Sequence, residues 1–373
     1  MYPREHPCVE QFGTLGPLLS ATGMALEDDR DAISPLMDHV LSKVLALIDV
    51  PSAFNGFRPE DHGIDYRSHD YSLLLAIIER LSRFDASGLM AMPGPSLAGA
   101  AVSAMGTDQQ KRHFFTPYLT GTQPTFLAIT EPSGGSDAAN CETTLRRDGN
   151  VWRLKGRKVL IGGAKRAQTG LVFARLENTS RRVLVMVHPR EHLERFQVER
   201  LPTVGLAGAD LTEIVIDDVV VEDEMVIGTE TRSLRDGFLA INTVFSRHRP
   251  LVAAMALGTA KGILDQMRDV GADKEGLVPL YLRHRALLGR MASIGAAFEC
   301  GKATPQQTSQ FKMDAVALVD AVAAHAFETL ALSDLTQAPQ LLKHIKDGRA
   351  FEYMEGSSHI HLLQAYRTYQ PRH

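Results

Sequence analysis

Hydrophobic and polar positions divide the chain into three zones of different period. Over residues 1–121 the period is helical: Leu74, Ile77, Ile78, Leu81 and Phe84 recur three and four residues apart and form one apolar stripe. A second helix is expected over 98–105, stopped by Gly106. Thr107 then reads as the N-cap of a third, with Gln110 three residues on to complete a capping box. Pro117 and Gly121 close this zone, and the Pro-, Gly- and Asp-rich stretch 51–68 reads as a loop. Over 122–230 the apolar positions instead come in short runs rich in Val, Ile and Thr, at 125–129, 151–155, 158–161, 170–176, 182–187 and 213–216. Asp148-Gly149 ahead of residue 151 is a hairpin signal. Short strands separated by turns predict a small β-barrel or sandwich. The helical period returns over 231–373, with candidates at 234–245, 251–267, 280–298, 309–332 and 339–366. Pro250 is expected to interrupt or kink the join between the first two. The expected fold class is therefore α+β and mostly helical. It has an N-terminal helical domain (1–121), a middle β-domain (122–230) and a C-terminal helical domain (231–373), with no internal repeat.

Composition narrows the class. The 373 residues are 44% hydrophobic and 23% charged, with a formal net charge of −4, which suits a globular protein with ample core and excludes nucleic acid as the main partner. Cys8, Cys141 and Cys300 lie far apart, and no Cys/His ligand spacing occurs, so neither a metal site nor a disulfide scaffold is expected. Scattered cysteines fit a reducing, cytoplasmic setting. The opening MYPREHPCVEQFG is polar and proline-broken, unlike a signal peptide. The most apolar segment, 89–104, contains Pro93 and Pro95 and is too short to span a bilayer, so no membrane association is expected.

Three segments carry candidate chemistry. Thr130-Glu131-Pro132-Ser133-Gly134-Gly135-Ser136-Asp137 directly follows a strand. Its glycines and hydroxyls make either a plain turn or a loop whose backbone N–H groups hold a phosphate or a ring edge. Glu355, in Tyr353-Met354-Glu355-Gly356-Ser357-Ser358, sits at a break in helical sequence. Burial there would raise its pKa and suit proton abstraction; the alternative is a solvated acid beside a helix capped by Ser357 or Ser358. Arg247-His248-Arg249-Pro250 is either a solvated turn or a basic cluster that contacts an anion or orients an acid. His359 and His361, two apart, fall on different helix faces and do not suggest a shared metal. No H-E-x-x-H, G-x-S-x-G or P-loop is present.

Taken in order, these segments resemble the acyl-CoA dehydrogenase family. Residues 81–87 (LSRFDAS) and 105–111 (MGTDQQK) resemble its paired N-terminal helices, and 128–137 (AITEPSGGSD) resembles its T-E-P-x-a-G-S-D signature. Residues 154–161 (LKGRKVLI) resemble l-n-G-x-K-x-W-I-T, 249–254 (RPLVAA) resemble R-P-x-V-A-A, and Lys346-Asp347-Gly348-Arg349 with Met354-Glu355-Gly356-Ser357 resemble R-D-a-r and Y-E-G-T. The resemblance implies an N-terminal helical domain, a middle β-domain and a C-terminal four-helix bundle. It implies FAD as cofactor and desaturation of an acyl thioester between Cα and Cβ, with Glu355 as the α-proton base and Arg249 beside it. It places Ile129, Thr130, Gly135, Ser136, Leu160, Ile161 and Gly162 at the flavin ring and pyrophosphate, and Ser357 and His359 near the adenosine half. Acyl-CoA and an acyl-carrier-protein thioester both stay open as substrates, as does the electron acceptor. A homo-oligomer, or a hetero-oligomer with a related subunit, is implied.

The chain departs from the family in three places. The W-I-T triplet reads Leu160-Ile161-Gly162, so the shielding Trp and the hydrogen-bonding Thr are replaced. Residues 265–281 lack an R-x-x-F-G segment, and 330–335 read LALSDL where a glycine-rich pyrophosphate loop is expected. These departures motivate a second reading, a redox-inactive relative that binds a thioester or performs non-redox proton chemistry with Glu355.

Overall fold

The computed structural model describes residues 5–67, 70–134, 140–228 and 236–369. The first helical zone contains α1 (Pro7–Gly13), α2 (Gly16–Asp28), α3 (Ser34–Asp38), α4 (Val40–Ala46), α5 (Tyr71–Met90), α6 (Ser96–Met105) and α7 (Asp108–Phe115). The stripe on α5 is its buried face, and the helix kinks at Asp85, which leaves helical geometry and accepts a hydrogen bond from Gly88 N at 2.7 Å. Asp85 thus acts as an N-cap inside the helix and restarts it. Gly106 stops α6, and the capping box forms as expected: Thr107 Oγ1 accepts from Gln110 N, and Gln110 Oε1 accepts from Thr107 N. The Gln110 amide also donates to Glu224 and Val226 carbonyls, tying α7 to the strands.

The strands are β1 (Thr125–Ala128), β2 (Thr144–Asp148), β3 (Val151–Gly162), β4 (Thr169–Leu176), β5 (Arg182–Val187), β6 (Phe196–Arg200), β7 (Leu211–Val221) and β8 (Val226–Ile227). They form one eight-stranded mixed sheet in the order β6-β7-β3-β2-β4-β5-β8, with β1 pairing parallel to β4 off that path. The hairpin signal is realised one residue later: Asp148 pairs with Val151, and Gly149 turns the chain at φ +59°. The two runs expected at 151–155 and 158–161 are one long strand. Gly156 permits this, because a Cβ there would lie 2.4 Å from Thr143 Oγ1. The register of β3 against β7 slips between Lys158 and Ile161, and Leu160 sits in that bulge at φ +59°.

The second helical zone contains α8 (Asp236–Asp269), α9 (Lys274–Glu299), α10 (Pro305–Thr329), α11 (Leu332–Gln337), α12 (Pro339–Gly348) and α13 (Ser358–Tyr369). Pro250 does not divide α8 as its sequence suggests. Arg249, Pro250, Val252 and Ala253 are buried, and α8 packs against α5 and α10, so tertiary contact holds the turn that lacks one donor. The Tyr71 hydroxyl donates to the Arg247 carbonyl on that same turn.

One apolar core runs through both helical zones; a second fills one face of the sheet, and a third lies between the sheet, α6 and α7. A buried ion group joins the zones. Lys343 Nζ donates to Asp85 Oδ1 (3.0 Å) and Asp347 Oδ2 (2.6 Å), while Asp347 Oδ1 accepts from Leu206 N (2.6 Å). Among the described residues, no helix is long and apolar enough to cross a membrane.

Candidate active site

Glu355 lies in the turn between a 3-10 segment (Arg349–Tyr353) and α13, in left-handed geometry at φ +56°. A non-glycine residue there is strained and persists only where its surroundings fix it. Lys312 of α10, 0% exposed, donates to the Glu352 and Gly356 carbonyls at 2.8 Å each and so bridges the turn. Arg249 Nε donates to the Glu355 carbonyl at 3.2 Å. The Glu352 carboxylate accepts from Ser358 N (2.8 Å) and Ser358 Oγ (2.6 Å), fixing the start of α13. Gly356 follows at φ +101°, where a Cβ would come 3.1 Å from the His361 ring.

These bonds all use backbone or Glu352 oxygens. Glu355 Oε2 is buried and accepts none. Burial raises the Glu355 carboxyl to about 7 against the opposing charges of Arg249 and Lys312. Burial lowers Lys312 to about 8, with Glu352 and Glu355 opposing. It also lowers His361 to about 4, helped by Arg249 and Lys312, so that imidazole stays neutral.

Glu355 lines a cavity of about 1160 Å³. The walls come from α5 and the loop after it (Leu89, Met92), from α6 (Leu97) and from α8 (Leu251, Val252, Met255). Arg247, His248, Leu251, Val252 and Met255 face it because they recur at helical spacing along α8. Burial and the neighbouring Arg247 lower His248 to about 4, so the adjacent histidine is a neutral wall.

A second surface forms at the end of β1. Ile129 O accepts from Lys158 Nζ (3.0 Å) and Thr130 O from Val159 N (3.0 Å), which sets Ile129 and Thr130 beside residues 160–162. Leu160, lifted by its bulge, is 53% exposed; Ile161 is buried, and its carbonyl accepts from Thr212 Oγ1. Gly162 leaves room beside Ala209 O, 3.1 Å from where a Cβ would stand. Glu131, next in the chain, is buried. Its carboxylate accepts from Lys158 Nζ (2.8 Å), Glu142 N (2.6 Å) and Thr143 N (2.9 Å). Burial alone would raise it; the hydrogen bonds from Lys158 and Thr143 bring it down to about 2. The exposed edge therefore offers an apolar side chain and a threonine, with the acid of the loop neutralised behind it. Those features fit the edge of a planar ring.

Three comparisons bear on this arrangement. Residues 127–219 match the family model described as the acyl-CoA dehydrogenase middle domain. The chain is 25% identical over 350 residues to the mitochondrial short-chain specific acyl-CoA dehydrogenase of Homo sapiens, covering 87% of this chain and 81% of that protein. The three comparisons together support a member of the acyl-CoA dehydrogenase family. Its fold is also that of the solved butyryl-CoA dehydrogenase from Megasphaera elsdenii (TM-score 0.82, 19% identity, 97% and 98% of the two chains). A prolyl acyl carrier protein oxidase has it too (TM-score 0.79, 16% identity, 97% and 99%).

Within this acyl-CoA dehydrogenase fold, Glu355 and Arg249 come together, as do Ile129, Thr130, Leu160, Ile161 and Gly162. Ser357 and His359 stand at the start of α13 beside Glu355, with His359 exposed and His361 buried on another face. Gly135 and Ser136 lie outside the described residues. Sequence reasoning missed Lys312, Lys158 and Lys343. The available signal was their placement: each lysine sits where the apolar period requires a buried position, and a buried lysine needs a partner.

Proposed function

We propose that this chain dehydrogenates an acyl thioester between Cα and Cβ, with Glu355 as the base that takes the α-proton. As a family member it is a flavin oxidoreductase acting on a CH–CH bond, with FAD as cofactor. The observation that carries the assignment of the base is the Glu355 carboxyl, whose buried Oε2 has no donor, on the wall of the large cavity. With its pKa near neutrality, Glu355 is a competent base at physiological pH and still strong enough to hold the proton it receives. Arg249 and Lys312 orient it through the backbone of its turn rather than by binding its carboxylate. The Glu355 N–H is assigned to the thioester carbonyl, whose polarisation acidifies the α-proton. Apolar residues of α6 and α8 exclude water from the acyl group.

Thr130 and the 160–162 edge would hold the flavin ring, Gly135 and Ser136 its pyrophosphate, and Ser357 and His359 its adenosine half. A bound FAD supplies the acceptor for the hydride from Cβ. Residues 1–121 and 231–373 would then form the substrate cleft and 122–230 the cofactor edge. The prolyl acyl carrier protein oxidase and the coenzyme A enzymes of this fold motivate either carrier for the thioester. We assign a cytoplasmic homo-oligomer, or a complex with a related subunit; Cys8 and Cys141 are buried free thiols, which accords with a reducing compartment.

The test is reduction of the FAD-loaded protein by a series of acyl thioesters, followed by visible absorbance, with Glu355→Gln as control. Bleaching by the wild type and its loss in E355Q supports the assignment. Bleaching that survives in E355Q removes Glu355 as the base, and α-proton exchange without bleaching favours the redox-inactive reading.

A further inference from the structure

The cavity that reaches Glu355 is not apolar throughout. Asp49, Tyr66 and Arg247 line it together, contributed by the segment after α4, the loop before α5 and α8. Arg247 Nη2 donates to Asp49 Oδ1 at 3.4 Å, a single long bond that leaves both groups capacity for another partner. Their side chains keep 41% and 46% of their surface open. Burial is nonetheless the largest influence on the Asp49 carboxyl and raises it, opposed by Arg247. Tyr66 is only 6% exposed, and its buried hydroxyl makes no hydrogen bond. Arg247 is held in place: its guanidinium lies over the Tyr71 ring at 4.9 Å, and its carbonyl accepts the Tyr71 hydroxyl. Arg58, Glu60, Asp65 and Arg67 also line the cavity; Arg58 pairs with Asp61 at 2.9 Å, and Asp65 lies 3.9 Å from His6.

We propose that Asp49, Tyr66 and Arg247 form a polar subsite for an uncharged hydrogen-bonding substituent, a hydroxyl or an amide, on the acyl group. The proposal rests on reading the cavity as the acyl-thioester site. The sign of the charges selects the substituent. Asp49 and Arg247 sum to zero, so a carboxylate would meet Asp49 and an ammonium would meet Arg247 at a partly desolvated position. A hydroxyl donates to Asp49 and accepts from Tyr66, satisfying the orphaned phenol. A plain alkyl chain of the same length would leave that phenol dry and unpaired. Sites built this way discriminate against the analogue lacking the polar group.

Phosphopantetheine thioesters serve as probes, since coenzyme A and an acyl carrier protein share that arm. Short- and medium-chain members are compared unsubstituted and with a hydroxyl stepped along the chain beyond Cβ. Binding is measured by calorimetry to FAD-loaded E355Q, in which turnover is blocked. The expected result is one hydroxyl position that tightens binding about tenfold or more over the unsubstituted chain. Adding Tyr66→Phe should then bring the two affinities to within about twofold. Equal affinity at every hydroxyl position overturns the subsite alone. So does a preference for carboxylate- or amino-substituted members. Failure of every thioester to bind overturns the acyl-thioester reading, and the subsite with it.

Discussion

Glu131 and Glu355 are two enclosed carboxyls, each with a lysine close by, and they are driven in opposite directions. Glu131 receives Lys158 and two backbone N–H groups directly on its oxygens and is held at about 2. Glu355 has Arg249 and Lys312 as neighbours, but their hydrogen bonds go to backbone carbonyls, and the carboxyl rises to about 7. The difference teaches that a nearby cation does not by itself keep an acid ionised: burial raises both carboxyls, and direct hydrogen bonds offset it at Glu131. The first arrangement suits a structural anchor behind the sheet edge. The second keeps an acid basic enough for proton abstraction while fixing where it points.

The largest expected effect comes from breaking the second arrangement at its carboxyl. E355Q should lower α-proton exchange of a bound thioester by about 10²–10⁴, read by NMR as loss of the α-proton signal in D₂O. Breaking the first should cost stability instead. Glu131→Gln leaves Lys158 buried without its charge partner and should destabilise the fold by about 3–5 kcal/mol in chemical denaturation. Adding Lys158→Met should recover part of that loss, and the lack of any recovery would count against a direct pair.

The signals for the fold were local, which is why much of it was legible beforehand. Thr107 and Gln110 lie three residues apart, and Gly106 stops α6 at its own position. The change of period near residue 122 located the sheet zone. β6 was missed because FQVER is too polar to read as a strand, and its pairing with β7 comes from tertiary structure. Pro250 misled because packing on α5 and α10 overrides its local preference. The break at Met354-Glu355-Gly356 was visible, but the residue that clamps it was not. Lys312 stands 43 positions earlier on another helix, and no local pattern links the two.

Smaller effects sharpen the contrast. Lys312→Met removes a cation that favours ionised Glu355, so the apparent pKa for exchange should rise and the rate at neutral pH should fall by about tenfold. A rate loss with no pKa movement would assign Lys312 a purely structural role. The two acids also act oppositely on stability. Glu355 has a folded pKa above its ordinary 4.5, so the native state binds more protons between 4.5 and about 7, and its contribution falls as pH rises through that window. E355Q should therefore gain stability relative to wild type from pH 4.5 to 7, by of order 1–3 kcal/mol, and hold that advantage above it. Glu131, depressed to about 2, contributes stability above 4.5 that is lost as pH falls toward 2. Parallel denaturation series across pH check both signs.

The measurement that reaches the central claim most directly is the pH profile of α-proton exchange by the FAD-loaded protein with a bound thioester. The account predicts a rate that climbs about tenfold per pH unit below neutrality and levels off above about 7, with no such limb in E355Q. A rate already at its plateau near pH 5 would contradict it, because the base would then be an ordinary exposed carboxylate and not the buried Glu355.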